Sequence, residues 1–399
     1  MKKILIAFTF FVVCLFSKCT CSSDSTNSKG TVNNDGEILT LKFNFDETPV
    51  NIHDIGLISD VEILNLDCEE AIFGEISKII RHKNRIYILD KRQTYSVIIY
   101  DTLGNFVNLI DKHGQGPNEY IQLSDIFINP DDETLNLVSR TDRKILKHDL
   151  NGNLIKVEKM PKMFSNLLKV KDGYLGDMAN TAIYEKNSNN VWTLSNKLEL
   201  KDGFFEIDPT WESSLIAHES FSQYKDKTYY TTFLDFNVYS IKNGKCSVAY
   251  TFDFGKHTWP KEYIEYDKYK SLRKDGDGWK LYINQFDHFQ ETQLHLIAEV
   301  IYNPNILLCV YNKQTGKTYI AKEETYKDKY VFPFGKIVGV DEKAIYTLLN
   351  ASQVKPFWVG KNQYVDFESK YPEQVKRLRE KFSHIDEEGN PFLVIYSIK

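Results

Sequence analysis

Short apolar runs, each ended by a turn rich in Gly, Asn and Asp, recur along most of this chain. The stretch Ser96–Ile110 reads SVIIYDTLGNFVNLI, and Lys144–Val157 reads KILKHDLNGNLIKV. In both, an apolar run meets Asp, passes through Gly-Asn and resumes as a second apolar run. Gly and Asn tolerate positive φ, which a tight connection between antiparallel strands demands, so each stretch predicts a β-hairpin. Further hairpins are predicted at Val238–Cys246, through Asn243-Gly244, and at Cys309–Lys317, through Gly316. A weaker one joins Val191–Leu194 to Phe204-Phe205 through Asp202-Gly203.

A second pair of short runs lies ahead of each of the first two hairpins. Ile76–Arg81 and Arg85–Asp90 precede the first. Ile126–Asn129 and Thr134–Ser139, divided by Pro130-Asp131-Asp132, precede the second. Four strands in roughly 40–50 residues is the repeat of a β-propeller blade, and the spacing from Gly104 to Gly152 fits it. The runs alternate only partly, as expected when stacked blades cover both faces.

Hairpins near Gly104, Gly152, Gly203, Gly244 and Gly316 give five blades. The sixth starts with Lys336–Val340 and Ala344–Leu349. It is completed by Val61–Leu66 near the start and Pro391–Ile398 at the end, two strands without a neighbour in sequence. Their pairing closes the ring and removes the last open edge. The expected fold is therefore all-β: a six-bladed β-propeller closed by its N- and C-terminal strands, with seven blades as the alternative count. Small helical insertions are expected at Pro260–Tyr282 and Pro372–Phe382. The first carries Tyr263, Tyr266, Tyr269 and Leu272 on one face and breaks at Asp275-Gly276-Asp277-Gly278; the second carries Val375, Leu378 and Phe382.

The first residues follow another pattern. Met1–Lys3 is basic, and Ile4–Phe16 is uncharged, which fits a secretory leader too short to span a bilayer. The segment Leu15-Phe16-Ser17-Lys18-Cys19-Thr20-Cys21 resembles a bacterial lipoprotein signal, in which a cysteine just beyond the apolar core is acylated and becomes the mature N-terminus. That resemblance implies acylation of Cys19, with Ser17 two positions before it. Cys21 is the alternative, and Lys18 stands where the family usually has Gly or Ala. Thr20–Gly36 is rich in Ser, Thr, Asn, Gly and Asp and reads as a tether. The organisation expected is a signal peptide over 1–18, a flexible tether over 19–36 and a single propeller domain over 37–399.

Composition narrows the chemistry. Aromatic residues make up 14 % of the chain, which favours strands. The net charge is −5 and becomes more negative once Lys2, Lys3 and Lys18 leave with the signal, so no nucleic-acid partner is expected. Cys68, Cys246 and Cys309 are odd in number in the body and read as free thiols. The nine histidines are scattered without zinc spacing, and no G-x-S-x-G elbow occurs. Asp149-Leu150-Asn151-Gly152-Asn153 has a superficial likeness to a calcium loop, but Leu154 and Met160 stand where Gly and Glu are required. No cofactor, metal site or catalytic residue is expected.

After the first hairpin, Gly114-Gln115-Gly116-Pro117-Asn118-Glu119-Tyr120 resembles the G-x-G-P-x-E-Y signature of six-bladed β-propeller lipoproteins from Gram-negative gut-type bacteria. Tyr371-Pro372-Glu373 and Asn390–Tyr396 resemble that family's late helix and closing strand. The resemblance covers about Asp60 to Lys399 and implies an outer-membrane lipoprotein facing the periplasm or the surface. A looser likeness is to NHL- and TolB-like propellers, which mainly bind partners. The Gly114–Tyr120 loop has two readings. As a ligand loop it offers close backbone approach, the Glu119 carboxylate and the Tyr120 ring. As a blade connector, the favoured reading, its glycines supply positive φ and Glu119 holds a turn. The function expected is a membrane-anchored binding module for a glycan, a peptide or an outer-membrane protein. The alternative is a carbohydrate-active hydrolase or lyase that pairs carboxylates across the central funnel.

Overall fold

The computed structural model describes residues 38–66, 71, 73–180, 188–207, 210–211, 219–322, 335–351, 368–369, 372–382 and 389–399. The leader, the tether, Cys19, Cys21 and Cys68 lie outside the described residues.

Three strands open the chain: β1 (Leu39–Lys42), β2 (Val50–Asn51) and β3 (Ile58–Asn65). Blade 1 follows as β4 (Lys78–His82), β5 (Arg85–Asp90), β6 (Ser96–Asp101) and β7 (Phe106–Ile110). Blade 2 is β8 (Leu123–Asn129), β9 (Thr134–Ser139), β10 (Lys144–His148) and β11 (Leu154–Lys159). Blade 3 is β12 (Asn166–Val170), β13 (Gly173–Asp177), β14 (Asn189–Leu194) and β15 (Leu200–Glu206). Blade 4 is β16 (Phe221–Tyr224), β17 (Lys227–Thr232), β18 (Asp235–Lys242) and β19 (Lys245–Asp253). Blade 5 is β20 (Gln285–Glu291), β21 (His295–Tyr302), β22 (Asn305–Asn312) and β23 (Lys317–Lys322). Blade 6 joins β24 (Lys336–Val340), β25 (Ala344–Leu349) and β26 (Phe392–Ile398) to β3. The protein is thus an all-β, six-bladed propeller.

Closure runs through the two ends of the chain. β26 pairs antiparallel with β3, with Leu393 opposite Leu64 and Tyr396 opposite Val61. Asn390 adds a stitch: its amide donates to the carbonyls of Leu66 (3.3 Å) and Ala71 (3.0 Å). The expected insertions are present as α1 (Tyr266–Lys274), which stops before Gly276 at φ +90°, and α2 (Pro372–Phe382).

Two features depart from the pattern read in the sequence. β1 and β2 add in parallel to the outer edges of blades 4 and 5, against β19 and β23. The blade 3 hairpin turns at Ser195, whose hydroxyl accepts the N–H groups of Lys197 and Glu199 at 3.1 Å each. Gly203, expected in that turn, lies inside β15 opposite Trp192, where a β-carbon would stand 2.2 Å from the Asn189 amide nitrogen. Close approach, not turning, requires glycine there.

The core is distributed between blades, as stacked sheets dictate, and its apolar clusters fill each blade interface. Strand polarity sorts the connections. The first strand of every blade runs down beside the axis, so turns between first and second and between third and fourth strands lie at the lower end. Those turns are short. Connections between second and third strands, and from blade to blade, lie at the upper end. The strands that flank every long connection end and resume there, around 66–77, 111–122, 178–188, 207–220, 254–284, 323–335 and 350–391. The sequence devotes its spare length to one face, which is where a rigid scaffold ordinarily carries function.

Candidate functional site

Charged residues gather where the upper end meets the axis. Lys78 begins β4, Asp125 lies near the start of β8, Asp177 ends β13 and Glu219 directly precedes β16, while Lys91 and Arg140 follow β5 and β9. Four blades therefore contribute. Lys78 Nζ is 2.8 Å from Asp125 Oδ1 and 3.9 Å from Glu219 Oε1. The Asp125 carboxylate also accepts the N–H groups of Ile126 (2.8 Å) and Leu167 (3.0 Å), which ties blade 2 to blade 3. Arg140 donates to Ser165 Oγ at 3.0 Å, and the Ala179 N–H donates to Asp177 Oδ1 at 3.0 Å.

Burial governs the charge states. It pushes the Asp177 carboxyl up to about 6, against the Ser220 hydroxyl, the Ala179 N–H and the Arg140 charge, with Asp125 adding repulsion. Burial also raises Glu219, against the attraction of Lys78. It lowers Lys91, which Lys78 repels in addition. Burial alone would lower Lys78 too, but Asp125 and Glu219 overcome it and hold the ammonium charged. In such a low-dielectric group each charge depends on its neighbours, so a ligand that replaces one neighbour changes protonation at another.

A recess of about 170 Å³ opens beside Asp177, with Asn180, Asn190, Glu206, Trp211 and Tyr230 in its wall. Its polar groups are held in place. The Asn190 amide donates to the Tyr230 hydroxyl at 2.8 Å, and the Asn180 N–H donates to Asn190 Oδ1 at 2.7 Å. Trp211 is fixed by Phe233 and Tyr269, with ring centres 5.7 and 5.1 Å away. Ala179 and Asn180 both take left-handed backbone, φ 47° and 54°. For Ala179 that conformation costs about 1 kcal/mol, a strain the surrounding hydrogen bonds must hold. The recess is smaller than the roughly 300–1,000 Å³ of a whole small-molecule site, so it suits one ring or one side chain of a larger ligand.

The recess lies on the seam between blades 3 and 4, which has the shortest apolar core of the six among the described residues: Leu175, Val191, Tyr230 and Ile241. Gln223 spans this seam by donating to the Lys169 carbonyl at 3.1 Å. Below it opens a cleft of about 910 Å³ whose rim is formed by turns of blades 3 and 4. A further hollow of about 600 Å³, between blades 5 and 6, has mainly apolar walls such as Ile306, Leu308 and Ile337. In blade 5, Asp287 and Glu299 stand directly opposite one another on β20 and β21. Burial pushes Glu299 up to about 8, the Asp287 charge adds to it, and Lys336 opposes. Among the described residues no three His, Cys, Asp or Glu converge as metal ligands.

The Gly114–Tyr120 loop joins β7 to β8, at the same upper end. It closes on itself. Glu119 Oε2 accepts the Gly116 N–H at 2.7 Å, and Lys144 Nζ donates to the carbonyls of Gly116 (3.0 Å) and Glu119 (2.9 Å). The Tyr120 ring is fully buried, and its hydroxyl donates to the Ile110 carbonyl at 3.2 Å. His113 stacks on Tyr95 at 5.8 Å. The expectation of positive φ at the glycines does not hold: neither Gly114 nor Gly116 is left-handed. They are required because the Glu119 carboxylate folds over them, within 2.0 and 2.9 Å of where β-carbons would stand. Gln115, Pro117 and Asn118 complete the loop. The aspartates at Asp101 and Asp149 serve their own hairpins, each accepting an N–H from the residue two ahead and the residue four ahead at 2.8–2.9 Å. Cys246 and Cys309 are free.

No local spacing joins the axial residues, so no motif marks them in the sequence. One signal was available for three of them: Lys78, Asp125 and Asp177 are ionisable residues set in an apolar strand context, as in Ile76-Ser77-Lys78-Ile79-Ile80 and Leu175-Gly176-Asp177-Met178.

Comparison with known proteins adds the following. The family model described as "Domain of unknown function (DUF4934)" matches residues 38–397. No curated protein is similar enough to match. The crystal structure of a Bacteroides fragilis NCTC 9343 protein described as exported superposes with a TM-score of 0.67 at 18 % identity, covering 90 % of this chain and 99 % of that one. A DUF4221 family member from Bacteroides vulgatus ATCC 8482 gives 0.48 at 12 % identity, over 86 % and 97 % of the two chains. BamB from Moraxella catarrhalis gives 0.36 at 10 % identity, over 72 % and 74 %. At 18 % identity the likeness to the Bacteroides fragilis protein is one of fold.

Proposed function

The chain belongs to the DUF4934 family, and from that premise we propose that it is an exported, lipid-anchored binding module whose ligand seat is the upper end of the ring. The observation that carries this reading is the pre-organised recess at Asp177. It has a fixed indole, a hydrogen-bonded Asn–Tyr pair and a buried carboxyl poised near 6, set among the long connectors. The recess supplies a stacking edge, donors and acceptors, which suits one ring of a glycan or one side chain of a peptide. Export and anchoring rest on the basic start, the apolar run and Cys19, and the exported description of the Bacteroides fragilis protein agrees with them.

The Gly114–Tyr120 loop is a connector in this reading, because its carboxylate is spent on its own backbone. Among the described residues no helix is long and apolar enough to cross a membrane; the anchor of this reading is the N-terminal segment at Cys19. The test is a glycan and peptide array probed with the full chain, with turnover measured on every hit. Binding without turnover, weakened by Asn190→Ala, is expected. Turnover of any hit, or binding that Asn190→Ala leaves intact, contradicts the reading.

A further inference from the structure

β1 fixes where the N-terminal segment meets the ring. It runs parallel to β19, with Leu39 beside Tyr250 and Lys42 beside Asp253. β19 climbs from the lower turn at Asn243-Gly244 to the upper connector at 254. β1 therefore begins at its lower end, at Leu39, on an edge strand whose own lower end is Lys245. Leu39 stands beside Tyr250, five residues up β19 from Lys245, or about 17 Å above that lower end.

The surface at that point is basic on a chain that is acidic as a whole. The lower turns of blades 3 and 4 expose Lys171, Lys197, Lys201, Lys225, Lys242 and Lys245. The acids among them are Asp172, Glu199, Asp202 and Asp226, and Lys227 is engaged with buried Glu291 at 3.2 Å. Lys242 is paired with Asp226 at 3.1 Å, both well exposed. The lower turns of blades 1 and 2 have the opposite balance, with Asp101, Asp131, Asp132, Glu133 and Asp149 against Lys83 and Arg85. The cations thus lie at the end from which β1 starts, most of them at the rim of the roughly 910 Å³ cleft.

We propose that the lower end of blades 3 and 4 docks on an anionic phospholipid surface, with the long upper connectors and the Asp177 recess turned away from the membrane. The proposal rests on the anchored reading above. An anchor confines the body near the bilayer; exposed lysines at the point of attachment then select its orientation. Each lysine close to an anionic surface contributes about a fivefold increase in partition, and salt removes it.

The test floats the full chain with phosphatidylcholine vesicles and with phosphatidylcholine–phosphatidylglycerol vesicles, at low and high salt. Flotation on phosphatidylcholine alone reports the anchor, so its failure is visible separately. Docking is the excess on the anionic vesicles. It should vanish at high salt and fall about a hundredfold in Lys171→Gln/Lys201→Gln/Lys242→Gln, with an unchanged melting curve. The upper-end variant Lys268→Gln/Lys274→Gln should keep it. No anionic excess, an excess the lower variant retains, or loss in the upper variant instead, overturns the proposal.

Discussion

Glu299→Gln should stabilise this protein at neutral pH and above, and increasingly so as pH rises. Glu299 is buried beside Asp287 and carries a carboxyl pushed from 4.5 to about 8. The sign follows from linkage. The neutral acid is the form the fold prefers, so its contribution is complete below 4.5 and is lost as pH climbs through 8. At about 1.4 kcal/mol per unit, the shift corresponds to a limit of about 5 kcal/mol. Gln keeps the volume and cannot ionise, and its amide can donate toward Asp287. Allowing about 1–2 kcal/mol for an imperfect hydrogen bond at every pH, the variant should lose about 1–2 kcal/mol at pH 4 and gain about 3 kcal/mol well above pH 8. Urea unfolding at intervals from pH 4 to 9, for wild type and variant, measures it. A constant difference across that range, or a variant that loses stability most at high pH, would refute the reasoning.

Gly114→Ala should cost about 1–3 kcal/mol, because the Glu119 carboxylate must leave the Gly116 N–H and a half-buried donor loses its partner. Thermal melts check this, and in Glu119→Ala the same glycine change should cost much less, since the two act through one contact. Deleting residues 390–399 removes β26, bares β25 and β3, and should abolish the single cooperative transition seen by calorimetry; a truncated chain that melts like the full one contradicts ring closure. Cys19→Ala should abolish incorporation of labelled fatty acid. Loss in Cys21→Ala alone would transfer the anchor to Cys21.

Much of the ring was legible because its repeats are local. A hairpin such as Ser96–Ile110 announces both strands and the turn within fifteen or so residues, and β5, β9, β24 and β25 follow their predicted bounds. What escaped was non-local or depended on close approach. Leu39, Leu41, Phe43 and Phe45 alternate with polar residues, a clear strand signal, yet the partner of β1 begins some 200 residues later and nothing nearby points to it. Gly203 resembled a turn glycine because Asp-Gly favours turns, but the Asn189 side chain lying over it decides its role. The Gly114–Tyr120 motif was visible, and its location in a connector was too. That Glu119 folds back onto the Gly116 N–H, in a loop whose carbonyls are pinned by Lys144 of blade 2, is not written in the motif's spacing. The axial cluster was least legible: Lys78, Asp125, Asp177 and Glu219 span four blades, and only ring closure brings them to one place.

The most direct test of the account is amide hydrogen exchange of the full chain with and without the strongest array ligand. The account predicts protection at Met178–Asn180, at Ser188–Asn190 and at Thr231–Leu234, the segments that form the recess at the upper end of the blade 3–4 seam. Protection confined to the Gly114–Tyr120 loop, or to the lower turns around Lys171 and Lys242, would contradict it.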